Sequence, residues 1–112
     1  MKLKFPKYVV IGDTKFEIIQ DPKRSDAEFF YWDTEDGNRK FLSPKIIIGT
    51  EWLEAMPTRV LNSIIHELKE IIQIEQGTRW YVDNNSCEFH YNHKQHSDLC
   101  SRLAGLLEQF LD

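Results

Sequence analysis

The sequence predicts a small α+β domain, with a mostly antiparallel sheet, a central helix and a C-terminal helix. Three observations predict it. Short apolar, β-branched segments bounded by turn residues fill the first half, up to Gly49. Between Thr58 and Gln76 the apolar residues shift to the helical period. After Gly77 the period returns to two, and it becomes helical again from about His93. A chain of 112 residues fits one domain, spanning 1–112, with a modest core.

The elements follow in order. Tyr8-Val9-Val10-Ile11 is apolar and β-branched, Gly12-Asp13-Thr14 is a turn, and Phe16 and Ile18 alternate beyond it, so the pair reads as a hairpin. The stretch from Asp21 to Asp26 is a loop, broken by Pro22 and small polar residues. Glu28 to Trp32 is a strand, and Asp33 to Arg39, with Asp36-Gly37-Asn38 inside, is a turn. Lys45-Ile46-Ile47-Ile48-Gly49 has β-branched residues on both faces and reads as a buried strand. Thr50 is placed to cap a short helix through Met56, and Thr58 to cap a second one. The second helix carries Leu61, Ile64, Ile65, Leu68, Ile71 and Ile72 on one stripe about 120° wide. It ends at about Gln76, with Gly77 beyond its C-cap. Thr78 to Val82 and Cys87 to Tyr91 form a hairpin, and the last helix runs from about His93 to Leu111.

Composition excludes several classes. Hydrophobic residues at 41% and aromatic residues at 12% describe a globular chain rather than a disordered one. A net charge of −4 disfavours nucleic acid, which needs clustered Lys and Arg. Lys2, Lys4 and Lys7 form no amphipathic helix and are broken by Pro6. No apolar run approaches the roughly 20 residues of a membrane span, and no secretory signal is evident. The expectation is a cytoplasmic protein with neither a membrane nor a nucleic-acid partner. Cys87 and Cys100 are too few for a disulfide scaffold and stand in no Cys-x-x-Cys pair. They read as reduced thiols, Cys87 on a strand and Cys100 on a helix near the core. Trp32, Trp52 and Trp80 read as core or interface residues.

The chemistry concentrates in His66-Glu67-Leu68-Lys69-Glu70. On a helix, His66 and Glu70 lie about 40° apart in projection, with Cβ atoms roughly 6 Å apart. One metal ion can bridge them, since zinc bonds to imidazole nitrogen and carboxylate oxygen are both roughly 2.1 Å. Glu67 lies about 100° round from His66. That places it beside the metal rather than on it, as a general base. The usual form is His-Glu-x-x-His, and Glu70 stands where the second histidine would be. Two His with one Glu is an established catalytic zinc set. The same five residues also read as an ordinary solvated helix face.

A third ligand is sought among His90, His93 and His96. His93 ranks first, because a helix N-terminus favours the neutral imidazole that binds metal. His96 is second, with core packing or a supporting contact as its plain alternative. His90 shares a strand face with Glu88 and is third.

From Ile46 onward the chain resembles small zincin-like proteins of bacteria and phages. The likeness rests on Ile64 to Ile72 around His66-Glu67-Leu68-Lys69-Glu70, a strand before that helix, a short aromatic stretch, and His93-Lys94-Gln95-His96 opening a helix with Leu99, Leu103 and Leu107. The resemblance implies a zincin-type metallopeptidase fold, with His66, Glu70 and His93 as zinc ligands and Glu67 as general base. Two functions follow as expectations. One is zinc-dependent hydrolysis of a peptide or protein substrate lying extended along an edge strand. The other is a catalytically silent accessory module that docks on a protein partner, with an exposed apolar patch near Trp52 or Trp80. A non-haem iron site with the same ligand types is disfavoured, because it calls for a larger barrel.

Overall fold

The computed structural model describes residues 2–31, 33–35, 38–40, 43–81, 87–89 and 92–112, with backbone alone for 33–35, 38–40, 79–81 and 87–89. The fold is α+β, as expected. Its strands are β1 (Tyr8–Ile11), β2 (Thr14–Asp21), β3 (Ala27–Phe30), β4 (Asp33–Glu35), β5 (Asn38–Lys40), β6 (Lys45–Gly49), β7 (Arg79–Tyr81) and β8 (Cys87–Phe89). Its helices are α1 (Pro57–Gln76) and α2 (His93–Glu108).

The main sheet has the order β1-β2-β6-β3. Gly12, at φ 59°, turns β1 into β2, so that Ile11 pairs with Thr14. The sheet is mostly antiparallel, as expected, with one parallel pairing: β1–β2 and β3–β6 are antiparallel, while β2 pairs with β6 in parallel. The reason is topological. β2 and β3 run in opposite directions, and β6 enters between them, so it must be parallel to one. Its apolar Ile46-Ile47-Ile48 run suits that interior place. The segment expected as a turn from Asp33 contains the short β4–β5 hairpin. The β7–β8 hairpin forms as expected.

One face of the sheet presents Val9, Ile11, Phe16, Ile46 and Ile48 to Val60, Ile64, Leu68, Ile71 and Ile72 of α1. Leu99 and Leu106 of α2 and Phe110 complete this core. α1 crosses β6 and β3 and abuts α2. No described helix is long and apolar enough to cross a membrane.

Two helix starts differ from expectation. Residues 51–55 form successive turns rather than a helix, and α1 begins at Pro57 with Met56 as N-cap and no side-chain cap. Pro57 explains both. It disfavours helical backbone at Met56, which sits at φ −144° and ψ 71°, and its own fixed φ suits the first helical position. The end of α1 follows expectation. Gly77 is left-handed at φ 73°, the Thr78 N–H donates to Gln73 O at 2.9 Å, and the Gly77 N–H donates to Ile74 O at 3.1 Å. α2 starts at His93 as expected, behind a reciprocal cap. The Gln95 N–H donates to Asn92 Oδ1 and the Asn92 N–H to Gln95 Oε1, both at 2.9 Å. It ends at Glu108, before the expected Leu111, which bridges back to Leu3.

Candidate metal centre

α1 brings His66, Glu67 and Glu70 together: one ligand atom from each lies within 4.8 Å of the others. His66 Nε2 is 3.6 Å from Glu70 Oε2. A tetrahedral zinc bound to both would hold those atoms about 3.4 Å apart, from bond lengths near 2.1 Å. The pair therefore fits the ion with a shift of a few tenths of an ångström. His66 is open to solvent, with its side chain 71% exposed, while that of Glu70 is 17% exposed.

Glu67 is the buried member, at 7% exposure. Val60, Ile64, Glu67 and Ile71 follow one another at spacings of four, three and four, which is one row along a helix. Glu67 therefore continues the row that packs against the sheet. The buried face reaches Val60 and Glu67, whereas Leu61 and Ile65 at its opposite margin are only half-buried.

Beside this group lies a cleft of about 240 Å³, lined by Asp26, Ala27, Asn62, Ser63, His66 and Glu67. Its sheet-side wall is the start of β3, the edge strand. Gly49 fixes that wall in place, since its N–H donates to Asp26 O at 2.7 Å. Arg24 reinforces it, with Nε donating to Asp26 Oδ1 at 3.1 Å and a terminal nitrogen donating to Glu28 Oε2 at 3.0 Å. The hydrogen bonds to Glu28 and then Asp26 raise the Arg24 pKa above its ordinary value. Asn62 and Ser63 stand four and three residues before His66, so helical spacing alone could have found them. Asp26 arrives from another element and left no local signal.

The structure does not bring His93 or His96 into the His66 group. Both are exposed on the first turns of α2. That end of α2 is tied to the C-terminus of α1, because Gln76 Nε2 donates to Gln95 O at 3.0 Å and to Asp98 Oδ2 at 2.7 Å. Gln76 is ten residues beyond His66, or about 15 Å along the helix. His96 meets Cys100 instead, with Nε2 at 3.8 Å from Sγ. Cys100, expected near the core, is exposed. His90 and the side chains of Trp32, Trp80 and Cys87 lie outside the described residues. Trp52 packs against the core, with the Arg59 guanidinium 5.0 Å from its ring centre.

No family model, curated protein or solved structure matches this chain.

Proposed function

We propose that this chain is a zincin-like, zinc-dependent hydrolase of peptide bonds, centred on His66, Glu67 and Glu70. One observation supports it above the others: an imidazole and two carboxylates converge at the mouth of a cleft, and one of the carboxylates is buried there. In this proposal His66 and Glu70 hold the ion. Zinc, when bound, supplies Lewis acidity toward a carbonyl and toward water. Glu67 takes up the proton that water gives up as it attacks. β3 offers an unpaired edge among the described strands, along which an extended peptide adds main-chain hydrogen bonds. With His93 and His96 at the far end of α1, the remaining coordination positions fall to water and substrate. That leaves a weaker site than three protein ligands give.

The distance of His93 and His96 from the group favours a second function, a silent accessory module that binds an extended protein segment without cutting it. Trp52 lends it no exposed apolar patch, because that ring is packed on the core. Zinc titration separates the possibilities. Zinc is expected to raise the melting temperature of the purified chain, by mass action on the folded state. In a Cys100→Ser background, which leaves the α1 group as the zinc site under test, His66→Ala and Glu70→Ala are expected to abolish that rise. Glu67→Gln should keep the rise and lose cleavage of an unstructured peptide library. No zinc-dependent rise in the parent chain would overturn the metal centre. Cleavage surviving Glu67→Gln would remove Glu67 as the base, and zinc binding without cleavage would leave the accessory module.

A further inference from the structure

We infer that α2 carries a second metal site, separate from the group on α1, in which His96 and Cys100 chelate a thiophilic ion of the zinc or cadmium class. The two residues are four apart on one helix, so their side chains lie on the same face, about 40° apart and about 6 Å along the axis. His96 Nε2 and Cys100 Sγ are 3.8 Å apart. A tetrahedral zinc with Zn–S near 2.3 Å and Zn–N near 2.0–2.1 Å holds sulfur and nitrogen about 3.6 Å apart. The pair therefore stands within a few tenths of an ångström of a chelating geometry before any ion arrives.

Both residues are exposed, so an ion reaches them directly and keeps water on its remaining positions. His93 is exposed one turn earlier on the same side, within about 60° of His96. The backbone under these residues is held at both flanks. The Asn92–Gln95 cap fixes the start of the helix, and Arg102 pairs with Glu75 of α1 at 2.6 Å. Little backbone ordering then opposes binding. The exchange balances simply. The Cys100 S–H bond breaks and its proton goes to solvent, a sulfur–metal bond forms, His96 gives its ring lone pair, and the hydrated ion releases two waters. Thiolate and imidazole select zinc, cadmium or copper(I) over magnesium, calcium and manganese. The carboxylate-rich α1 group has no such bias toward soft ions.

Cadmium titration of the full chain under reducing conditions tests this, read by the near-ultraviolet charge-transfer absorption of a cadmium–thiolate bond. A saturable band is expected in the parent chain, in Cys87→Ser and in the His66→Ala/Glu70→Ala double variant. Cys100→Ser should abolish it. His96→Ala should weaken binding by more than about tenfold, the loss that even an outer-shell change produces at a metal site. A band that survives Cys100→Ser, or that titrates identically in His96→Ala, would overturn the site. So would the absence of a band in the parent chain. Because the double variant removes only the α1 ligands, failure of one centre does not imply failure of the other.

Discussion

Glu67 shows how a single side chain joins packing to chemistry. Taking a carboxylate out of water costs several kcal/mol unless partners offset it. Glu67, at 7% exposure in the row of Val60, Ile64 and Ile71, therefore lies on the packed face of α1 with partners that offset its burial, and it borders the cleft. The sequence showed its identity and its angle from His66, but not its burial. The buried face runs through Val60 and Glu67, and a stripe drawn from Leu and Ile alone passes both by. The reverse case is Asn92, an exposed residue whose effect is purely local. Its side chain and that of Gln95 satisfy each other's backbone N–H groups at the start of α2. Asn92→Ala is expected to cost about 1 kcal/mol, and Asn92→Ser only a small part of that, since Ser is an equal cap. Chemical denaturation measures both. Equal losses in the two variants would mean that the cap itself contributes nothing.

Among elements, the join between β6 and the loop before β3 matters most, because it sets one wall of the cleft. A Cβ at position 49 would run into the backbone carbonyls of Arg24 and Asp26, which cannot yield as a flexible side-chain tip does. Gly49→Ala is expected to destabilise the chain by about 1–3 kcal/mol, the range for overpacking. It should also weaken zinc binding, since it displaces Asp26 and Ala27 beside His66. If stability falls while zinc affinity measured in a Cys100→Ser background holds, the cleft wall plays no part in the site. Elements with a strong period were legible: β1, β6 and the end of α1 at Gly77 fall where apolar alternation, β-branching and a left-handed glycine put them. The helix expected over residues 51–56 was not, because Pro57 limits what Thr50 can start. The polar three-residue strands β4 and β5 have no alternation to read. The insertion of β6 between β2 and β3 is decided by burial across the sheet, which no local window contains. For the same reason the closeness of His66 and Glu70 was readable, both being on one helix, while the separation of His93 and His96 from them was not.

At the scale of the molecule, the two ends of the chain close on each other. Leu3 bridges Leu111, the Lys4 N–H donates to Phe110 O at 2.9 Å, and the Asp112 N–H donates to Lys2 O at 3.1 Å. This clamp keeps Phe110, which follows the last helix, at 0% exposure in the common core and 6.5 Å from the ring of Phe5 in an edge-on arrangement. Phe110 therefore couples three parts of the fold: the N-terminal segment, the end of α2 and the core beneath the sheet. Truncating it opens a cavity and also releases the N-terminal segment that packs on it. Phe110→Ala is expected to cost about 3–5 kcal/mol, a large share of the 5–15 kcal/mol typical of such domains. At about 4 °C or more per kcal/mol, the melting temperature should fall by more than about 10 °C. Leu111, 38% exposed, is the control. It shares the clamp backbone but little of the core, so Leu111→Ala should cost well under half as much. Thermal unfolding of the two variants decides the matter. Comparable losses would mean that the main-chain clamp stabilises the ends and the ring does not, whereas a small loss in Phe110→Ala would mean that the terminal segments open independently of the domain.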